Sequence, residues 1–487
     1  MTTTTGAVDG DRTPGATPGL SRWAVPLICV AQLMATLDVT IVNLALPAID
    51  GALGLTDAGL AWVIDAYTLA YAGLLLVGGR LGDLVGRRRT LMIGIGLFTG
   101  ASLVAGLAHD PAVLLAARAG QGVGAAFATP TTLALITALV PAGAARARAM
   151  VAYGAMAGLG ITLGLVLGGL LTEYASWRWV FLVNVPIGLG LLVSVRRVLP
   201  ESRGVHRRVD LLGAGLGTAG LTALVYGVIR AGSHDGADHR SVVALAAATT
   251  LLGAFVAVEL RVPEPTLPLH LLRHRTRLAA YLIAGLLFAC LYPSFLLLSR
   301  SLQEVQGLGP VTAGLRFLPI GVGVLAFAIL ARRLLARVGA RPLVLVGTTA
   351  ATVGAAGLVA LDRNGSYALV LLPCLVGLGA GVGTTFVANA ALAMTDVAAD
   401  DTGIASGLLS TFQAVGGTVG VAALASIASS STADRIAASD GPLSVEDVRA
   451  ALLAGFGDGF TLAAALAAVA TAVAVVLVLT GARGGRR

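Results

Sequence analysis

Three charged residues sit inside stretches that are otherwise apolar. Asp38 lies in "ATLDVTIVNLALPAI" (35–49), Asp65 in "WVIDAYTLAYAG" (62–73) and Arg118 in "LAARAGQGVGAAF" (115–127). A charge at the centre of a bilayer costs about 2.5–3.5 kcal/mol on insertion scales, so such residues are expected to face a bundle interior or a wet cavity. A carboxylate placed there can carry a proton or hold a cationic solute. A structural polar contact with a neighbouring helix is the plainer alternative. Asp38 is about 14 residues into its segment, roughly 20 Å deep at 1.5 Å per residue. Arg118 approaches a similar depth from the opposite side. If the two face each other, the guanidinium favours the ionised carboxylate while burial favours the neutral acid. A contact made and broken between conformations would switch Asp38 between releasing and holding a proton. Asp65 is nearer the outer face, where it could carry a proton or simply reach water.

The elements that must position these residues follow from composition. The chain has 487 residues, 56% hydrophobic and 12% charged, with a mean hydropathy of +0.88. Soluble domains carry about 25% charged residues, so an integral membrane protein is the class that fits. All 33 basic residues are arginine, and they lie in short clusters between apolar runs. That is the pattern of membrane topology and argues against a nucleic-acid surface. Spans are expected at roughly 24–49, 59–79, 91–108, 112–139, 149–172, 178–195, 210–230, 241–260, 278–299, 312–332, 342–361, 367–393, 403–428 and 458–480. The predicted fold is therefore all-α and membrane-integral, with fourteen transmembrane helices. With the N-terminus inside, the clusters "GRRR" (86–89), "RRVLPESRGVHRR" (196–208), "RHRTR" (273–277) and "ARRLLARVGAR" (331–341) all fall on the inner side. This sign agrees with the positive-inside rule and places both termini in the cytoplasm. One inner loop, "DVAADDTG" (396–403), is acidic, and acids count for little in that rule.

The chain also reads as doubled. "GVGAAF" (122–127) recurs as "GVGTTF" (381–386), and the basic loop after the second span has a degraded counterpart after the tenth. The domains expected are a disordered tail (1–22), a six-helix bundle (23–199), an inserted helix pair (200–262), a second six-helix bundle (263–480) and a basic tail (481–487). Two pseudo-repeated bundles with a site at their interface are a transporter arrangement.

On these residues the chain resembles the major facilitator superfamily, in particular its fourteen-helix drug:proton antiporters. "GRLGDLVGRRR" (79–89) is similar to the superfamily's loop signature, and "LAARAGQGVGAAF" (115–127) to its span-4 motif. "LDVTIVNLALPAI" (37–49), "SWRWVFLVNVPIG" (176–188) and "ASGLLSTFQAVGGTVG" (405–420) resemble motifs of the fourteen-helix branch. The resemblance implies a proton-relay role for Arg118, beside Asp38 and Asp65, the carriers the residues themselves suggest. It also implies a cytoplasmic gate built from Gly79, Gly82, Asp83, Gly86, Arg87 and Arg88. "GITLGLVLGG" (160–169) stands where the family has its antiporter motif, with Gly160, Gly164, Gly168 and Gly169 present. Leu165 occupies the place of the expected proline, so any bend rests on glycines alone. This glycine ladder could pack against a helix of the other half or within its own half.

Asn43, Tyr67, Gln121, Asn184, Tyr292, Asn389, Phe412 and Gln413 are candidates to line a substrate cavity. Cys29, Cys290 and Cys374 are far apart in apolar runs and read as packing residues. "HDGADH" (234–239) reads as a solvated loop, and no metal site is expected. No GxxxxGK[ST] loop is present, so the energy source expected is a proton gradient, with no cofactor and no enzymatic activity. "SVEDVRAALLAGF" (444–456) is expected to form a short amphipathic helix capped by Ser444 and Asp447. The predicted function is export of small amphipathic or cationic drugs in exchange for protons. The alternatives are an importer or symporter of one solute, or an exporter of one endogenous metabolite. The partners expected are substrate, protons and the lipids of a bacterial inner membrane, with a monomeric chain and no nucleic acid.

Overall fold

A computed structural model describes residues 21–55, 57–141, 144–201, 211–233, 238–262, 270–361, 366–397, 402–439 and 444–484. The helices are α1 (Ala24–Leu53), α2 (Asp57–Val85), α3 (Arg87–Gly106), α4 (Pro111–Leu139), α5 (Ala144–Tyr174), α6 (Trp179–Leu182) and α7 (Asn184–Val198). They continue as α8 (Leu211–Ser233), α9 (His239–Glu259), α10 (His270–Arg273), α11 (Arg275–Arg300), α12 (Pro310–Arg316), α13 (Leu318–Val338) and α14 (Ala340–Val359). The last are α15 (Leu372–Ala393), α16 (Thr402–Ala437) and α17 (Val445–Gly484). No strand occurs among the described residues. Eleven described helical segments are long and apolar enough to cross a membrane. Shorter apolar stretches, Trp62–Leu75, Thr162–Tyr174 and Leu212–Val228, lie in α2, α5 and α8.

Local chemistry sets the ends of these helices. α1 stops where Gly54 takes a left-handed φ of 61° and donates its N–H to Asp50 O. Asp110 caps α4 by accepting from the N–H groups of Ala112 and Val113 at 2.7 and 3.1 Å, with Pro111 in the first turn. Asp238 caps α9 through the N–H of Ser241 and also accepts from Arg230 at 2.8 Å. Burial acts to raise the Asp238 pKa, but these donors outweigh it and hold the carboxyl down to about 2. A depressed carboxylate contributes stability above its unfolded value, near 4, and that contribution is lost as pH falls toward 2. The melting temperature of Asp238→Asn should therefore sit below wild type at pH 6, and the two should converge at pH 2.

The short helix expected at 444–456 is part of a longer element. Ser444 and Asp447 do form the reciprocal cap, with the Asp447 N–H donating to Ser444 Oγ and the Ser444 N–H to Asp447 Oδ2. From there α17 runs unbroken for 40 residues, because nothing from Val445 to Gly484 removes a helical hydrogen bond. In "HDGADH", positions 234–237 lie outside the described residues.

The helices pack as two groups. In the first, α1 pairs with α5 and α7, while α4 pairs with α2 and α3, and α3 with α7. In the second, α11 pairs with α16 and α17, while α15 pairs with α13 and α14, and α14 with α17. α8 lies against α2 and α16, so it spans both groups, and α9 packs on α8. The groups meet where α5 touches α12 and α13, where α16 touches α2 and α4, and where α1 touches α11 and α12. Several of the closest contacts gather at the end bearing the α3–α4 turn. There Glu173 accepts from the Val311 N–H at 2.9 Å, and Ser299 donates to Asn43 O at 3.2 Å.

Candidate functional site: a buried ion pair and its polar shell

Asp38, Arg118, Gln121 and Asn184 come from α1, α4 and the start of α7, and all four are buried. Arg118 Nη1 donates to Asp38 Oδ2 at 2.7 Å, which makes the ion pair. Asp38 Oδ1 accepts from Gln121 Nε2 and from Asn184 Nδ2, each at 2.9 Å. Both carboxylate oxygens are thus satisfied. Arg118 also donates Nη1 to Gln121 Oε1 at 2.7 Å and Nε to the Val63 carbonyl at 2.9 Å. Its guanidinium lies 4.6 Å from the Tyr67 ring centroid and 5.8 Å from that of Phe181, a cation–π sandwich that shields the charge from hydrocarbon. Ser102 on α3 closes the shell by accepting from Gln121 Nε2 at 2.8 Å.

Helical spacing explains the convergence. Arg118 and Gln121 are three apart and share a face of α4. Asn184 stands at the first position of α7, just after the break at Val183. A buried polar network is favourable only when its members are paired; both Asp38 oxygens are, while Asn184 Oδ1 is buried without a partner among the described residues. The arrangement holds one carboxylate against one guanidinium inside the bundle.

Several cavity candidates therefore have other positions. Gln121, Asn184 and Tyr67 surround the ion pair. Asn43 is buried and turns its side chain back to Val39 O at 3.4 Å. Ser102 and the Val63 carbonyl do not stand out in the sequence. A serine that bonds its own helix, here Phe98 O at 2.7 Å, carries no distinguishing pattern. Asp65 is buried on α2, and its Oδ1 has no hydrogen-bond partner among the described residues. It is not joined to the Asp38 cluster.

The residues expected to form the cytoplasmic gate run from the last turns of α2 into the start of α3. Gly86 has φ of 103°, a left-handed conformation that glycine adopts without strain. Arg87 donates to Ala134 O at 3.0 Å. Arg88 donates to Leu199 O and to Glu201, each at 3.1 Å. The side chain of Asp83 lies outside the described residues. Gly79 and Gly82 face Pro130 and Thr131 of α4.

The glycine ladder of α5 divides between two partners. A Cβ on Gly160 would stand 2.8 Å from Thr36 Cβ, on Gly164 2.9 Å from Leu37 O, and on Gly168 2.6 Å from Ile41 O. These three pack on α1, within their own group. Gly169 faces the other group, with Pro310 O at 2.5 Å from its would-be Cβ. The other group supplies its own glycine to this seam, since Gly314 sits 2.6 Å from Leu165 O by the same measure. Leu165 is buried at that contact.

In the second group Asn389 and Gln413 line a recess, and Phe412 stacks on Tyr281 at 5.6 Å beside it. Tyr292 meets Phe288 edge-on at 5.1 Å and packs against both groups. The three cysteines are buried and free, and no metal-binding cluster occurs among the described residues.

A bundle of apolar helices around a paired, fully buried aspartate and arginine defines a multi-pass membrane protein with an ion pair inside its helix bundle. The Major Facilitator Superfamily model matches residues 28–421, and the chain belongs to that family. It is a transporter-family protein and not an enzyme. It is 41% identical over 420 residues to the puromycin resistance protein pur8 of Streptomyces alboniger, covering 85% of this chain and 83% of that one. It is 38% identical to the cephamycin export protein CmcT of Amycolatopsis lactamdurans, covering 89% of this chain and 90% of that one. The lincomycin resistance protein of Streptomyces lincolnensis is also 38% identical, with 84% of each chain covered. Among solved structures, the inward-facing, occupied bacterial homolog of the human lysosomal transporter Spinster superposes with a TM-score of 0.66. That match has 15% identity and covers 95% of this chain and 97% of the other, a likeness of fold.

Proposed function

We propose that this protein exports antibiotics or related amphipathic molecules across a bacterial cell membrane in exchange for protons, by alternating access. The observation that carries the reading is the Asp38–Arg118 pair, buried at the centre of a chain whose relatives are resistance and export proteins. Asp38 is the proton carrier, and Arg118 competes with the proton for it. Gln121 and Asn184 hold the carboxylate in place for either occupant.

We read the eleven membrane-length segments and the three shorter apolar stretches together as the fourteen helices expected. The matched pairing order supports two repeated bundles: α1, α2, α3, α4, α5 and α7 pair as α11, α13, α14, α15, α16 and α17 do. Gly86 and Gly339 support it too, since each opens a helix with positive φ at an equivalent turn. Arginine-rich turns placed in the cytoplasm put the Glu173–Val311 contact at the outer face. On this reading the conformation is closed outward, with Arg118 on Asp38 in the place the proton has left.

Puromycin uptake into everted membrane vesicles tests this reading. The expected result is accumulation when an acid-inside gradient is imposed, and collapse when the gradient is dissipated. Accumulation that ignores the gradient, or none at all, would contradict it.

A further inference from the structure

An open cleft of about 410 Å³ lies between the start of α11, the α13–α14 turn and the end of α15. Thr276, Val338, Arg341, Pro342, Leu392 and Thr395 are among its walls, and the lining holds no acid. Arg341 makes one long bond, its Nη2 donating to Thr276 Oγ1 at 3.5 Å. No carboxylate among the described residues lies within ion-pair reach of it. Two helices begin at the cleft, α11 after His274 and α14 after Gly339, and neither start is capped by a side chain. Their first-turn N–H groups add partial positive charge to that of the guanidinium. Arg277, 7% exposed, follows the lining residue Thr276. It donates Nη1 to the Asp396 carbonyl at 3.3 Å, and its Nε is buried without a partner among the described residues. The Asp396 carboxylate itself is largely exposed and faces His274 at 3.5 Å.

The first group shows what such an arginine does when it has an acid. Gly86 and Gly339 each open a helix with positive φ, and an arginine follows two residues later in both. In the first group that arginine, Arg88, donates to Leu199 O and to Glu201, and Arg89 shares the same carboxylate at 3.5 Å. The α2–α3 turn is thereby tied to the end of α7. In the second group Arg341 holds the matching place without a carboxylate. A guanidinium beside two helix starts suits a phosphate. The surface beyond the cleft says which kind. Pro342, Val346 and Val353 are exposed and spaced by four and seven, so they share one face of α14. An apolar stripe leading away from a cationic cleft fits a molecule with a phosphate head and a hydrocarbon tail.

We infer that this cleft binds the phosphate of an acidic phospholipid, with Arg341 as the counter-charge and an acyl chain along the exposed stripe of α14. Thr276 holds the guanidinium over the phosphate. The exposed Arg275 and Arg337 strengthen the positive field around it. The bound lipid ties the α13–α14 turn to the start of α11, as Glu201 ties the α2–α3 turn to α7. The inference goes beyond the export reading and does not depend on it.

Native mass spectrometry of the purified full chain, titrated with dioleoylphosphatidylglycerol or dioleoylphosphatidylcholine, tests it. Arg341→Gln should weaken the tightest phosphatidylglycerol site by about tenfold, the scale of one lost charge-assisted hydrogen bond. Phosphatidylcholine binding should stay within about twofold of wild type, because the same arginines repel its choline. Arg341→Lys keeps a charge that can meet a phosphate and should recover most of the affinity. Arg333→Gln, an exposed arginine of α13 outside the cleft lining, is the control and should bind both lipids as wild type does. Gel filtration and the melting temperature in detergent confirm that each variant is folded, and the lysine variant decides if the glutamine variant is not. Phosphatidylglycerol should also raise the melting temperature of wild type and leave that of Arg341→Gln unchanged. Equal phosphatidylglycerol affinity in wild type and Arg341→Gln overturns the site, and so does an equal loss in Arg333→Gln. Glycerol 1-phosphate that competes as tightly as the lipid overturns the lipid assignment, since the stripe then contributes nothing. Lipid binding that depends on Arg341 in protein without gradient-driven uptake keeps the cleft and loses the export reading.

Discussion

Arg118→Ala is expected to lower the stability of the protein by about 3–5 kcal/mol, because it leaves the Asp38 carboxylate buried without its counter-charge. Two donors remain on Asp38 Oδ1, from Gln121 and Asn184, but neither brings charge. Three further contacts go with the guanidinium: the bond to Val63 O, the bond to Gln121 Oε1 and the packing between Tyr67 and Phe181. The double variant Arg118→Ala with Asp38→Asn should recover much of the loss, since no unpaired charge is left. Thermal unfolding in detergent across the four proteins of that cycle measures the coupling directly. Additive losses would mean the pair contributes nothing as a pair. Arg118→Lys should be intermediate, because a lysine keeps the charge but loses the planar fork that reaches Asp38, Gln121 and Val63 together.

Gly168→Leu is the second large effect expected. Even a Cβ at this position would stand 2.6 Å from Ile41 O, and a backbone carbonyl cannot swing aside as a side chain can. α1 must then separate from α5, and α1 carries Asp38. A cost of about 3 kcal/mol, at the upper end of overpacking penalties, follows. The loss should appear both as a lower melting temperature and as reduced transport, since the aspartate moves with its helix. Gly100→Leu on α3 is the matched control. Nothing lies within 4 Å of its would-be Cβ, so it should fold and transport normally. Equal damage from both substitutions would show that the ladder is not a close-packed seam.

How much of this was legible in the sequence differs from residue to residue. Asp38 and Arg118 stood out because a charge in an apolar run is costly and conspicuous, and depth counting at 1.5 Å per residue placed them level. Gln121 and Asn184 were visible as polar residues within spans. Their commitment to Asp38 was not, because sequence periodicity gives the face of one helix and not which neighbour it meets. The α5 glycines marked a close-packed helix, but only coordinates assigned three of them to α1 and one to α12. The "GVG" repeat shows the same limit. Gly122 faces α2 and Gly124 faces α3, whereas Gly381 faces α14 and Gly383 faces α13. By the pairing order the letters therefore match but the registers do not. α4 and α15 are equivalent in the bundle, yet residue-by-residue correspondence cannot be taken from that hexapeptide. The cleft at Arg341 was hidden for a different reason. An arginine without a carboxylate is a property of the packed structure, and arginines in the turns between spans are ordinary.

The central claim is that Asp38 exchanges a proton as substrate binds. Proton release on drug addition, read with a pH-sensitive dye in unbuffered solution of the purified protein, tests it most directly. The account predicts release from wild-type protein and none from Asp38→Asn, with drug still bound by the variant. Equal proton release from both proteins would contradict it and return Asp38 to a purely structural role.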